Sequence, residues 1–273
     1  MKMKKINLLI FGLIIILFSG FVSANQSKYE FYEKYDERNK ECILNNFLIY
    51  SNDRASSIID EACRQGLAIQ YPDMVDVRYA QCIFKNINKA SANNPKAANE
   101  ISQACRQGIA KIKPDPQEKK YAECILSNID KASAANNKAA NEISEACRWG
   151  IANIDPYPEE IIYANCIFKH INKAAPNNNE AASLISRACR QGIANTNADS
   201  HDIEYANCIF DNITKVFAGN RRGASLVSQA CRWGVASQNP TQTDIDFADC
   251  ILSNINKAKS NTAAESLHKV CKY

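Results

Sequence analysis

The twelve cysteines of this chain recur with an alternating rhythm. They stand at Cys42, Cys63, Cys82, Cys105, Cys124, Cys147, Cys166, Cys189, Cys208, Cys231, Cys250 and Cys271, so that successive steps are 21, 19, 23, 19, 23, 19, 23, 19, 23, 19 and 21 residues. From Cys82 onward the first cysteine of each pair returns every 42 residues. An internal period of that length implies one supersecondary unit stacked on copies of itself, because a single unit of this size cannot bury its own apolar face. The words around the cysteines repeat as well. "YAQCIFKN", "YAECILSN", "YANCIFKH", "YANCIFDN" and "FADCILSN" surround the first cysteine of a pair, and "ACR" or "VCK" surrounds the second. Six units follow, at 38–77, 78–119, 120–161, 162–203, 204–245 and 246–273.

Each unit holds two helices. Tyr79, Cys82, Ile83, Asn86, Ile87 and Ala90 keep the three- and four-residue spacing of one helical face. Asp73, Asp115, Tyr157, Asp199 and Thr241 mark the starts of the first helices. An acid stands three positions after each of them (Asp76, Glu118, Glu160, Asp202, Asp244), where it favours a first turn. Pro116 and Pro158 take first helical positions, at which a missing N–H costs nothing. Ser27 followed by Glu30 gives the N-terminal helix its own version of this signal. The second helices are expected to start at Asn52, Asn94, Asn136, Asn178, Asn220 and Ser260. They are expected to end at Gly66, Gly108, Gly150, Gly192 and Gly234, each in a left-handed C′ conformation with the next apolar residue folded back.

The helix lengths decide between two cysteine pairings. Cys82 lies about nine residues before the loop and Cys105 eleven after Asn94, which at about 1.5 Å per residue sets them level on antiparallel helices. The competing partner of Cys105, Cys124, sits about nine residues into the next helix. That offset is on the order of 10 Å, beyond the ~7 Å between Cα atoms that a disulfide spans. The pairing expected is therefore 42–63, 82–105, 124–147, 166–189, 208–231 and 250–271. The whole reads as an all-α fold: six disulfide-stapled two-helix hairpins in a right-handed or irregular solenoid.

Disulfides need an oxidising compartment, and the chain begins accordingly. Lys2, Lys4 and Lys5 precede an apolar run from Ile6 to about Phe21, and Val22-Ser23-Ala24 supplies small residues for cleavage. Residues 1–24 read as a secretory signal peptide, with an apolar core short for a spanning helix and an uncleaved membrane anchor as the lesser alternative, and 25–37 as an extension of the first helix. Without residues 1–24 the chain carries 30 basic and 29 acidic side chains. That balance gives no basic face for nucleic acid. No later segment is apolar and long enough for a stable membrane span. The expected location is secreted or periplasmic.

The pattern "C-I-L/F-x-N" followed by "A-C-R" resembles uncharacterised bacterial secreted four-cysteine proteins. The match is closest in the first and last units, "CILNN…EACR" and "CILSN…KVCK", whereas units two to five carry two extra loop residues. The resemblance implies a hairpin fold and brings no activity. In architecture the array is similar to Sel1-like and tetratricopeptide solenoids, whose glycine and alanine signatures it does not match.

Chemistry finds little purchase in this pattern. There is no C-x-x-C, and six pairs treated alike leave no special thiolate. Cysteines 19–23 residues apart do not make a zinc site. His170, His201 and His268 hold three different repeat positions and form no triad. No catalytic residue, metal or cofactor is expected. Asn86, Asn128, Asn212 and Asn254 lie on the apolar stripe, where buried amides bonded to a neighbouring hairpin would fix its register.

Two features point outward. Arg64, Arg106, Arg148, Arg190 and Arg232, with Lys272 in sixth place, form a ladder that can meet helix C-termini or pair with the acids of the next helix. The position after it reads Gln65, Gln107, Trp149, Gln191 and Trp233. Tryptophan in place of glutamine implies partly exposed indoles on a binding surface, or indoles packed over the adjacent linker. Trp149, Trp233, Arg106, Arg148, Arg190 and Arg232 are the candidate binding residues. The function expected is a non-enzymatic exported scaffold that holds a protein or peptide. A hydrolase acting on cell-envelope polymers and a structural envelope component are the alternatives.

Overall fold

The structure, a computed structural model, describes residues 37–46, 53–69 and 71–272. The signal peptide at 1–24, the extension up to residue 36 with its Ser27 cap, and the Asn52 cap lie outside them. Helix α1 occupies 37–46. The others are α2 (Asp53–Cys63), α3 (Met74–Asn86), α4 (Pro95–Ala104), α5 (Pro116–Asn128), α6 (Asn137–Ala146), α7 (Pro158–His170), α8 (Asn179–Ala188), α9 (Ser200–Asn212), α10 (Arg221–Ala230), α11 (Gln242–Asn254) and α12 (Asn261–Cys271). Among the described residues there is no strand, and no helix is long and apolar enough to cross a membrane.

The helices start where capping chemistry starts them. Asp73, Asp199 and Thr241 accept hydrogen bonds from the first turn, and Asp115 forms a reciprocal capping box with Glu118. Tyr157 has no acceptor to offer, and there Glu160 alone closes the turn, accepting from the Tyr157 N–H at 3.1 Å. The second helices are capped by Asn94, Asn136, Asn178, Asn220 and Ser260, each accepting from the amide three residues on.

Two layers result. Each second helix packs on the second helix of the next hairpin, through fully buried small residues such as Ala97, Ala98 and Ala104 around Ile101. Each first helix lies mainly against the second helix of the preceding hairpin and the turn that follows it. Successive first helices touch one another far less, so the packed spine of the array is its layer of second helices. Six disulfides join successive helices, 42–63, 82–105, 124–147, 166–189, 208–231 and 250–271, with Cα separations of 5.6–5.8 Å. Removing one by Cys124→Ser with Cys147→Ser should cost about 3 kcal/mol in the chain-entropy account of a 23-residue loop. A guanidinium titration of the two proteins checks this.

The structure corrects the glycine reading. Gly66, Gly108, Gly150, Gly192 and Gly234 are not left-handed caps, since Gly219 is the one glycine with positive φ among the described residues. They lie in π-helical turns that prolong the second helices, Arg64–Ala68, Cys105–Ala110, Cys147–Ile151, Cys189–Ile193 and Cys231–Val235. Four of the five apolar residues that follow, Leu67, Ile109, Ile193 and Val235, do not fold back and are about 40% exposed, whereas Ile151 is half-buried and packs against the core. Glycine is needed because the next first helix presses on it. A Cβ at Gly108 would stand 2.5 Å from the Glu118 carbonyl oxygen and 2.4 Å from Ala122 Cβ.

Register between hairpins is held by residues other than the stripe asparagines. Asn86, Asn128, Asn212 and Asn254 donate through their side-chain amides to the carbonyls of Cys82, Cys124, Cys208 and Cys250, four residues back in their own helices. The cap asparagines do the bridging. Asn94 Nδ2 donates to the backbone oxygens of Ser133 and Asn136 at 3.2 Å, and Asn136 Nδ2 to those of Ala175 and Asn178 at 3.3 and 3.2 Å. Asn178 reaches Asn220 O at 3.1 Å and Asn220 reaches Ala258 O at 2.6 Å. The two extra loop residues of the middle units add a second ladder. Asn93, Ala135, Asn177 and Gly219 turn through positive φ, and the N–H groups of the last three donate to Ala92, Ala134 and Pro176 of the preceding unit.

Candidate binding surface

The arginine ladder and the tyrosines of the first helices build one surface together. Each tyrosine (Tyr79, Tyr121, Tyr163, Tyr205) sits in the first half of its helix, and the arginine of the same hairpin's π turn covers its ring. The guanidinium carbons stand 4.3 Å from the Tyr79 and Tyr163 centroids (Arg106 and Arg190), and 5.3 and 5.4 Å from those of Tyr121 and Tyr205 (Arg148 and Arg232). The acids that meet the ladder are not those of the next helix. Arg106 pairs with Glu61 at 2.7 Å and Arg190 with Glu145 at 3.6 Å, both on the preceding second helix, while the first-turn acid Glu118 is taken by Lys111.

Below the rings lies a polar layer that the sequence reading missed. The hydroxyls of Tyr79, Tyr121, Tyr163 and Tyr205 lie 2.8–3.1 Å from those of Ser102, Ser144, Ser186 and Ser228, and in the first and last pairs they are hydrogen-bonded to each other. At the second–third and third–fourth hairpin interfaces a buried carboxylate joins in. Glu100 accepts from Tyr121 at 2.5 Å and Ser144 at 3.0 Å, and pairs with Lys96 at 2.6 Å. Glu142 accepts from Tyr163 at 2.5 Å and Ser186 at 2.7 Å, and pairs with Lys138. Burial, then the adjacent carboxylate charge, pushes both phenols far above their ordinary value, so each remains a hydrogen-bond donor. With three donors on each carboxylate, the networks fasten hairpin to hairpin. One signal was available: Glu100 and Glu142 occupy a position that is Ile58, Leu184 or Leu226 in three other units and Ser266 in the last.

Open troughs lie between hairpins on this surface. One, of about 240 Å³, runs past Gln103, Gln107, Glu118, Tyr121, Arg148 and Trp149. A second, of about 590 Å³, has the equivalent residues one repeat on, among them Glu145, Glu160, Tyr163 and Arg190. Trp149 is a wall of both and is 54% exposed. Trp233 is 48% exposed and leans on Phe247 of the following hairpin, with ring centroids 6.2 Å apart. The structure thus sets Arg148, Arg190 and Trp149 around repeated troughs, with Arg106 and Arg232 over the equivalent rings on either side. Trp233 combines exposure with packing on its neighbour.

The three histidines are half-buried and scattered, and no group of three or more potential metal ligands occurs among the described residues. His170 stacks on Phe210 at 4.0 Å, and its buried Nδ1 has no partner. Burial, with help from Lys173 and Lys169, lowers its pKa to about 4; Asp211 opposes them. The unfolded chain therefore takes up a proton below pH ~6.5 that the folded chain refuses until about pH 4. Stability should fall as pH drops through this window and not change further below it on this account. In His170→Asn, which installs the residue found at Asn128, the melting temperature should fall less between pH 6.5 and 4, a difference that parallel thermal scans measure.

Comparison with known sequences fits this geometry. Residues 66–150 match the sequence model of the family described as Four-cysteine protein VF_A0006-like. That stretch holds two stapled hairpins, with Cys82, Cys105, Cys124 and Cys147, and runs from the glycine of one π turn to that of another. The chain is similar there to an uncharacterised four-cysteine family. No curated protein and no solved structure matches the chain.

Proposed function

We propose that this is an exported binding scaffold that holds a protein or peptide along the trough-bearing surface of the array. The observation that carries the reading is Trp149, a large exposed side chain shared by two adjacent troughs of the same construction. Exposed tryptophan beside arginine is the composition of binding hot spots. The apolar leader at 1–24 and six disulfides support export to the periplasm or beyond the cell, where such bonds persist.

The test is Trp149→Gln with Trp233→Gln, which installs the residue found at Gln107 and Gln191. Immobilised wild-type chain and double variant are exposed to envelope and culture-medium fractions of the producing cell, and captured proteins are identified by mass spectrometry. A protein retained by the wild type and reduced about tenfold on the variant, with the helical fold retained by circular dichroism, is the expected result. Identical captured sets would remove these residues from the binding site.

A further inference from the structure

The ladder alternates in a way that assigns a ligand. Where glutamine follows the arginine, the arginine is neutralised: Arg106–Gln107 faces Glu61, and Arg190–Gln191 faces Glu145, each 45 residues earlier in the chain. Where tryptophan follows, the acid is gone. The residue 45 positions before Arg148 is Gln103, and the one before Arg232 is Arg187. Among the described residues neither Arg148 nor Arg232 makes an ion pair, and both stand about 1 Å further from their tyrosine rings than the paired arginines do. An exposed indole and an uncompensated guanidinium thus coincide twice, and a paired guanidinium with glutamine three times, since Arg64, followed by Gln65, pairs with Asp60 at 2.9 Å.

Resting on the scaffold reading above, we infer that the ligand is an extended acidic peptide, whose carboxylates complete the ion pairs missing at Arg148 and Arg232 while flanking apolar side chains lie on Trp149 and Trp233. Charge complementarity selects the anion. The apolar surroundings select a polypeptide over an anionic glycan. Ile154 and Tyr157, in the linker that follows Trp149, are 79% and 71% exposed, and a sugar chain has no aliphatic side chains to set against them. The spacing sets the length. The two sites are two hairpins apart, and packed helices lie about 8–10 Å from axis to axis, so the sites are ~16–20 Å apart. At about 3.3 Å per residue an extended peptide covers that distance with a carboxylate every five or six residues.

The natural units supply the disabling change. Gln103→Glu with Arg187→Glu places at both sites the acid already found at Glu61 and Glu145. Arg148 and Arg232 are then neutralised while their own side chains stay in place. The probe is a fluorescein-labelled synthetic peptide with two Leu-Glu doublets six residues apart; controls carry Gln for Glu, or doublets three residues apart. Fluorescence anisotropy at low salt should show the six-spaced acidic peptide binding at least about tenfold more tightly than either control, with a comparable loss on the Gln103→Glu, Arg187→Glu double variant. Equal binding to wild type and variant, or none to wild type, overturns the inference. So does preferential binding of polygalacturonate, a glycan polyanion without apolar side chains. The two readings fail separately. A captured protein that depends on Trp149 and Trp233 but ignores Gln103→Glu with Arg187→Glu leaves the scaffold standing and ends the acidic-peptide assignment.

Discussion

Asn136→Asp is expected to be among the most damaging single changes in this chain, about 3–5 kcal/mol, although it alters one atom group and keeps the helix cap. Asn136 is wholly buried. Its Oδ1 accepts from Ala139 N–H at 3.0 Å, and a carboxylate can do the same. Its Nδ2 donates to Ala175 O and Asn178 O of the next hairpin. Aspartate would turn a buried negative charge toward these two carbonyls, which would keep only their backbone donors, the N–H groups of Asn178 and Ala182. Asn136→Ser keeps only the cap and should cost about half as much, because it brings no charge. Denaturant titration ranks the variants, and hydrogen exchange should show α6 and α8 opening first. An aspartate variant within about 1 kcal/mol of wild type would mean that the ladder does not hold the register.

Gly150→Ala is expected to destabilise by about 3 kcal/mol or more. By intrinsic propensity alone it should help, since alanine is favoured over glycine inside a helix by roughly 1 kcal/mol and Gly150 has no positive φ to lose. The contact reverses the sign. A Cβ would stand 2.5 Å from the Glu160 carbonyl oxygen and 2.6 Å from Ala164 Cβ, and the first of these is backbone. Ala164→Gly should therefore recover only part of the loss. The thermal midpoints of both proteins measure it, and a more stable Gly150→Ala would show that the seat between hairpins can widen freely.

The large features of the fold were legible because they are periodic. Cap residues recur at fixed offsets from the cysteines, and helices of known rise leave the two cysteines of a hairpin level; the disulfides join those residues. What escaped was set by contacts between repeats. Gly108 looks like a helix terminator, and only the approach of Glu118 and Ala122 explains it. Asn94 reads as a cap because one of its bonds is local, while the other two reach residues 39 and 42 positions away. Asn86 lies on the buried stripe and turns inward to its own helix. For the candidate surface, sequence could align the arginines and tryptophans. It could not show that Tyr121 or Tyr163 lies under the guanidinium, or that Glu61 and Glu145 neutralise every second one.

The asparagine ladder makes the array divisible. Each rung runs from a cap to the next cap's carbonyl, so the bond that leaves a unit is of the kind that enters it. A seam between two copies of residues 120–161 would set Glu142 against another Tyr121 and Ser144, the partners that Glu100 already has. Length can therefore change by whole units without a new joint. A unit inserted between the third and fifth hairpins would also move Trp149 and Trp233 apart by one step, so that the chain behaves as a gauge whose graduations are hairpins.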